Sequence, residues 1–171
     1  TAFKAFQYLK ENGGCDLRTR VTSTRCLYSV KSSYFYKWQP GDPDYYLAPG
    51  NRPSDLTNGN VVTPATMAIL YPVYTLPYRQ VRWIWAIAEV LFAFLSILLV
   101  ARSLSPKQIL FPSAIIVTGL ICSDFFIAEL ERGQMYLFYT FLLSLIYFLY
   151  NKKTKTLILL SGILAGLILY L

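Results

Sequence analysis

Residues 83–101 read WIWAIAEVLFAFLSILLVA, nineteen positions with a single charge, Glu89. Coiled as a helix, this run is about 28 Å long, close to the roughly 30 Å hydrocarbon core of a bilayer. Two further runs, Gly133–Asn151 and Thr156–Leu171, carry no charge at all. The 171-residue chain is 55% hydrophobic and 15% charged, with a mean hydropathy of +0.42, where a soluble domain carries about a quarter charged residues. The pattern predicts an all-α, polytopic helical membrane protein. A region of loops with short amphipathic and interfacial helices, 1–82, precedes transmembrane helices at about 83–101, 109–128, 134–150 and 157–171. The last of these offers only fifteen residues, short of the roughly 20 needed to span. The chain also opens on Thr1 rather than Met, and so reads as a piece of a longer protein.

Composition excludes several classes of chemistry. Histidine is absent, so Ser/His/Asp hydrolysis, Cys/His proteolysis and His-ligated zinc are ruled out. Three cysteines cannot build a four-Cys metal site. No metal ligand and no cofactor is assigned, and a metal requirement is left open. The net charge is +7, which in a soluble protein points to nucleic acid. In a membrane protein the same excess reports topology and lipid phosphate, so the expected partner is the bilayer and not nucleic acid. Ten Lys/Arg against five Asp/Glu precede Trp83, and six against four follow, which concentrates the basic excess in the polar half.

Along that half, Phe3, Phe6 and Leu9 share one helical face before Gly13 and Gly14, suggesting a short amphipathic helix over 1–12 or the end of an upstream span. Asp16 stands at an N-cap position. Leu17, Val21, Thr24 and Tyr28 then recur at helical spacing, predicting a helix to about Val30 with Arg18, Arg25 and Ser29 on its other side. From Tyr34 to Asn60 the prolines and glycines dictate loop. Its aromatic residues Tyr34, Phe35, Tyr36, Trp38, Tyr45 and Tyr46 suit a membrane interface or a sugar platform, or simply rings packed on one another. Thr63–Tyr78 is apolar but broken by Pro64, Pro72 and Pro77, which fits an interfacial or re-entrant helix.

Positive charge orients the chain. Arg102, Lys107, Lys152, Lys153 and Lys155 assign their two loops to the cytoplasm, which leaves residues 1–82 and the Glu129–Gln134 connection on the extracytoplasmic side. Arg79 and Arg82 oppose this mildly. Glu89 falls about two turns inside its span, where an ionisable group usually lines a cavity or pathway, whereas Asp124 is near enough to an end to snorkel.

Two polar clusters have a functional and a bland reading. Asp16 with Arg18, Arg20 and Arg25 is either a cap beside headgroup-facing arginines or a base next to a phosphate site, since guanidinium matches phosphate in a bidentate fork. Glu129, Glu131, Arg132 and Gln134 form a polar turn of the kind any short loop provides. Cys15 and Cys26 are eleven apart and are read as unbridged, and Cys122 as a small apolar filler. Gly162 and Gly166 form a GxxxG pattern that usually means close helix packing.

Three segments in order resemble integral-membrane glycosyltransferases of the GT-C type, particularly glycosyltransferase family 87. Residues 15–21, CDLRTRV, are similar to the acidic start of the family's first extracytoplasmic loop. Thr63–Pro72, running on to Leu76-Pro77-Tyr78-Arg79, resembles its Pro-flanked apolar helix ahead of a span. Glu131-Arg132-Gly133-Gln134-Met135-Tyr136 is similar to its GQ turn, although the family often has Val-Asn where this chain has Met135-Tyr136. The resemblance runs from about Gly14 to Gly166.

It implies inverting transfer of a sugar, mannose among the candidates, from a polyprenyl-phosphate donor to a hydroxyl of a glycan or glycolipid acceptor. The reaction would lie on the extracytoplasmic face of a bacterial inner membrane. The resemblance further implies that Asp16 is the catalytic base. Arg18, Arg20 and Arg132 would meet the lipid phosphate, and Glu131 and Gln134 the sugar or acceptor. This piece alone is expected to be inactive. The competing readings are a transporter or flippase fragment working through Glu89 and Asp124, and a non-catalytic polytopic scaffold.

Overall fold

The computed structural model describes residues 14–29, 31–47, 63–104, 119 and 123–170. The helix expected over 1–12, the second half of the loop at 48–60 and most of the span expected over 109–128 lie outside the described residues. Among those described there are six α-helices and no strand: α1 (Cys15–Leu27), α2 (Pro64–Ala68), α3 (Tyr78–Leu104), α4 (Asp124–Arg132), α5 (Tyr136–Asn151) and α6 (Lys155–Tyr170), with a single 3-10 turn at Asp44–Tyr46. The chain divides into two units. The first holds the described residues up to Trp85 together with Glu131–Gly133, and the second holds Ala86–Leu130 and Gln134–Tyr170.

In the first unit, α1 starts two residues earlier than its sequence suggests. Its N-cap is Gly14, in the left-handed region at φ 81°, which puts Asp16 inside the first turn instead of at the cap. The helix stops at Leu27, where the Ser29 and Lys31 amides both close onto the Cys26 carbonyl. Leu17, Val21 and Thr24 are buried as their spacing requires, but so is every residue from Val21 to Cys26, while Tyr28 is exposed. The Thr24 hydroxyl lies 3.2 Å from the Met67 carbonyl of α2, where Thr66, Met67 and Leu70 are buried. α2 itself is one turn, opened by Pro64 and capped by Thr63, whose side chain accepts from the Thr66 amide. Turns carry the chain on to Pro77, so the helix expected through Tyr78 is much shorter than anticipated.

Arg25 corrects the expectation of an outward basic face, since it is only 4% exposed. Its guanidinium donates to the carbonyls of Tyr74 at 2.9 Å, Tyr45 at 2.9 Å and Leu76 at 2.8 Å, and lies 4.2 Å from the centroid of the Tyr45 ring. Guanidinium is the side chain able to satisfy three diverging carbonyls with one planar fork. Burial pushes its pKa down, opposed by Tyr45, and its ordinary value above about 12 leaves it charged regardless.

The aromatic loop packs largely on itself. Tyr45 and Tyr46 meet edge to face at 5.3 Å, Tyr36 and Tyr46 at 5.8 Å, and the Lys31 ammonium lies over the rings of Tyr36 and Tyr46. Lys31 also pairs with Asp42 at 3.0 Å, and the Tyr36 hydroxyl donates to the other Asp42 oxygen at 2.6 Å. Phe35 meets only the Tyr34 ring among the described aromatic contacts, at 6.5 Å, and is 84% exposed.

α3 is the one helix among the described residues that is by itself long and apolar enough to cross a membrane, with 27 residues. It begins at Tyr78, ahead of the expected Trp83, because Pro77 supplies the carbonyl that receives the Val81 amide. Its faces are reversed relative to a helix in water. Arg82, Ala86, Glu89, Ala93, Ser96 and Ala101 are buried, while Ile84, Ile87, Val90, Leu91 and Phe94 are exposed. Tyr78, Val81, Trp85 and Ile97 are buried beside them, so the inward face mixes small, polar and large residues while the outward face of its central turns is mostly large and apolar.

In the second unit, α5 and α6 have 16 residues each. α5 is one residue shorter than the run expected at 134–150, and α6 starts two residues ahead of the run expected from 157; at about 24 Å each falls short of a bilayer core of roughly 30 Å. α4 and α5 pass as a membrane span only as a pair, bent by 113° at the intervening break. The expected polar turn at Glu129–Gln134 is helical as far as Arg132. Asp124 in its first turn and Arg132 in its last complement the helix dipole, and Gly133 at φ 67° ends the helix in the usual left-handed way.

Phe92 of α3 packs on Phe138 and Phe141 of α5 at 5.2 and 5.4 Å, beside the buried cluster of Ala93, Phe126 and Leu137. The hydroxyls of Ser96, Thr140, Ser144 and Ser161 each bond a carbonyl of their own helix, which satisfies them in apolar surroundings. The GxxxG expectation is not met: a side chain at Gly162 or Gly166 would encounter nothing within 4 Å among the described residues.

Two measurements test the first unit. Lysine at position 25 cannot reach three carbonyls at once, so Arg25→Lys is expected to lower stability by about 2 kcal/mol or more in denaturant melts, since hydrogen bonds to a charged group contribute about 1.5–3 kcal/mol. An unchanged midpoint would contradict the clamp. The bonds from Tyr36 and Lys31, with the Gln39 amide, hold Asp42 down to about 2 from 3.8, a contribution present above about pH 4 and lost as pH falls through about 2. Burial and the Asp42 bond raise Tyr36 to about 12 from 10.0, a contribution present below about pH 10 and lost as pH rises through about 12. The near-UV circular dichroism of the loop should therefore be flat from about pH 4 to 10 and fall at both ends. Asp42→Asn should abolish the acid limb.

Candidate functional site

The site begins with two glycines in the left-handed backbone region, Gly14 at φ 81° and Gly133 at φ 67°, a conformation that side chains rarely adopt. At Gly14 the amide donates to the Glu131 carbonyl at 2.9 Å, and the carbonyl receives both the Arg18 amide at 2.8 Å and the Tyr78 hydroxyl at 3.1 Å. A Cβ at Gly14 would sit 2.8 Å from the Tyr78 oxygen and 3.1 Å from Nε of Arg82. At Gly133 the carbonyl receives Nη1 of Arg20 at 3.1 Å. A Cβ there would fall 2.8 Å from Cβ of Leu17. The Glu131–Gly133 turn is thus docked by its backbone onto the first turns of α1.

Arg82 closes the arrangement. It is 1% exposed, its Nη2 donates to the Glu131 carbonyl at 3.3 Å, and its Nη1 lies 3.0 Å from the position of a Gly133 Cβ. Sequence reasoning treated it only as a charge bearing on orientation. The available signal was its register: Tyr78, Arg82, Trp85 and Glu89 recur at i, i+4, i+7 and i+11 on the buried face of α3.

The sequence-nominated residues are distributed as follows. Asp16 is half-buried in the first turn of α1, with the Cys15 thiol 3.7 Å from its Oδ1. Arg18 and Arg20 are half-buried on the same helix, and Arg20 commits one of its five N–H donors to Gly133. Glu131 is half-buried, and its backbone carbonyl receives both Gly14 and Arg82. Arg132 is exposed. Asp16, Arg18, Arg20, Glu131 and Arg132 therefore belong to one unit, whereas Gln134 lies beyond the turn in the other, its amide 3.4 Å from the Glu129 carbonyl.

Chemically, the arrangement offers a carboxylate in the first turn of a helix and guanidinium groups on the same helix and on the docked loop. Such a set suits proton abstraction beside an anionic group. Among the described residues no group of three or more Cys, Asp or Glu is gathered to hold a metal.

The remaining candidates separate. Asp124 is exposed in the first turn of α4, whereas Glu89 is 0% exposed. Cys15 and Cys26 are free thiols at opposite ends of α1, about 16 Å apart along its axis, beyond disulfide reach. An aromatic surface that sequence reasoning missed is formed by Tyr28, Tyr71 and Tyr74, with centroids 4.7 to 5.5 Å apart. Its signal was the i, i+3 pair Tyr71 and Tyr74, which flank Pro72.

Gly133→Ala should lower the melting stability by about 2 kcal/mol or more, since the left-handed conformation costs a side chain roughly 1–2 kcal/mol and the contact with Leu17 adds to it. Gly133→Asn, which tolerates the dihedral but not the contact, should also destabilise. Parent-like melting of both variants in detergent would contradict the docked turn.

The model of glycosyltransferase family 87 matches residues 62–171. The match takes in α2 to α6 and the Glu131–Gly133 turn, and leaves Asp16, Arg18 and Arg20 N-terminal to it. Nothing among curated proteins or solved structures matches the chain.

Proposed function

Because the chain belongs to glycosyltransferase family 87, we propose that it carries part of the transfer site of a membrane enzyme that moves a sugar, mannose being the leading candidate, from a polyprenyl-phosphate donor to a hydroxyl acceptor. The acceptor is a glycan or glycolipid on the extracytoplasmic face, and a bacterial inner membrane is the setting. The observation that carries this reading is the docking of Glu131–Gly133, within the family match, onto the turn that bears Asp16.

In the proposed reaction the acceptor hydroxyl gives its proton to the Asp16 carboxylate while its oxygen bonds to the sugar's anomeric carbon. The bond from that carbon to the lipid phosphate oxygen breaks, with inversion, and the electron pair leaves on the phosphate. Arg18, the uncommitted donors of Arg20, and Arg132 neutralise the departing phosphate. Glu131 hydrogen-bonds the sugar or acceptor hydroxyls. Arg82 and Gly14 position the turn without meeting substrate.

The membrane placement draws support from α3, whose large apolar side chains face outward, and from the lysines at 152, 153 and 155, which mark the cytoplasmic end of the α5–α6 hairpin.

Asp16→Asn separates base from helix-start roles. Asp16 is not the N-cap, so losing its charge should cost only about 0.3–1 kcal/mol of helix stability. Loss of a positioned base should lower transfer by roughly 100-fold or more. The assay is transfer of labelled sugar from polyprenyl phosphate by the protein reconstituted in lipid. Near-parental transfer by a normally folded Asn variant would contradict the assignment.

A further inference from the structure

The second unit contains a basic cavity that the transfer reaction does not use. It measures about 180 Å³ and is lined by Arg102 and Ser103 from the last turn of α3, and by Phe148, Asn151 and Lys152 from the end of α5. Arg102 and Lys152 are exposed at its rim. Cations at helix C-termini usually serve the helix dipole by bonding the last carbonyls. Here neither side chain does so: among the described residues Arg102 donates to no carbonyl or carboxylate, and Lys152 meets only the Phe148 ring, at 4.8 Å. The Ser103 hydroxyl is spent on the Leu99 carbonyl at 2.8 Å. That leaves a guanidinium, an ammonium and the Asn151 amide as unspent donors around one cavity with an aromatic wall.

Three donors of this kind match the oxygens of a phosphate ester, with guanidinium supplying the bidentate fork. The surroundings select the source. Leu104, Tyr147 and Tyr150, adjacent in sequence to the lining residues, are exposed, and Arg102 lies 23 residues along α3 from Arg79, about 35 Å at helical rise. That distance carries the cavity past the end of an apolar run matched to a bilayer core. We infer that this cavity binds the headgroup phosphate of one anionic membrane lipid, with Arg102 and Lys152 as its cationic contacts. The inference rests on the membrane placement of α3 but not on the transfer chemistry.

Native mass spectrometry of the detergent-solubilised protein tests it, with phosphatidylglycerol, phosphatidylcholine and inorganic phosphate as probes. The expected result is one retained phosphatidylglycerol per chain, with phosphatidylcholine and free phosphate retained far less. In Arg102→Gln/Lys152→Gln, retention should fall roughly 10-fold or more, since each cation near a membrane surface strengthens anionic-lipid binding about fivefold. The charge-preserving Arg102→Lys/Lys152→Arg should retain the lipid, and so should Lys155→Gln, which removes a neighbouring charge outside the cavity. Equal retention of the two phospholipids, parental retention by the double Gln variant, or an equal loss in Lys155→Gln would overturn the site. Flotation with phosphatidylcholine vesicles tests the membrane placement separately: a protein that floats yet shows no anionic preference retains that placement and loses the site, and one that does not float loses both.

Discussion

The Glu131 carbonyl is the acceptor on which the N-terminal unit depends. It receives the Gly14 amide and the Arg82 guanidinium, two donors that come from segments 68 residues apart in sequence. The Gly14 amide precedes the helix and has no partner within it, and a guanidinium buried as deeply as Arg82 must be met by acceptors or it would be prohibitively costly. One backbone oxygen receives both donors. In doing so it fixes a turn from the family-matched region against a helix that lies outside the match. Glycine is required on both sides of this junction, at Gly14 and Gly133, for dihedral and for space.

Helix α3 expresses a second constraint. Its inward face carries the expensive groups, Arg82, Glu89 and Ser96, and its outward face carries Ile84, Ile87, Val90, Leu91 and Phe94. In water that arrangement would expose the apolar surface that normally drives folding. Against lipid it is the cheaper choice, because apolar side chains gain nothing by hiding from hydrocarbon while charged groups lose heavily by facing it. The same logic explains the serine and threonine hydroxyls folded back onto their own helices. Glycosyltransferase family membership and this helix are the two observations on which the proposed membrane setting rests.

Much of this was legible in the residues themselves. The apolar run at Trp83–Ala101 located most of helix α3, and the prolines at 64, 72 and 77 marked 63–78 as unable to hold a long helix, although their power to open α2 and α3 by sterics alone went unused. The Gly133-Gln134 pair marked a turn correctly, but Glu129–Arg132 were misread as loop: charges in a helix's last turn and charges in a surface loop have the same composition. Arg25 was assigned outward for a similar reason. Periodicity treats every arginine as polar, and it has no knowledge of three carbonyls arriving from residues 45, 74 and 76. The N-cap was misplaced because Asp16 is a favoured cap residue, whereas Gly14 owes its position to contacts with Tyr78, Arg82 and Glu131, all more than sixty residues away. Local chemistry reads local structure well, and it fails where distant backbone sets the requirement.

Hydrogen exchange at the Gly14 amide tests the central junction most directly. No intrahelical bond protects this amide, so any slowing reports its bond to the Glu131 carbonyl. The account predicts exchange slowed roughly 100-fold relative to a free amide, with the protection largely lost in Arg82→Met while α5 and α6 exchange as before. Free-amide exchange at Gly14 in the parent protein, or protection unchanged by removal of the Arg82 guanidinium, would contradict it.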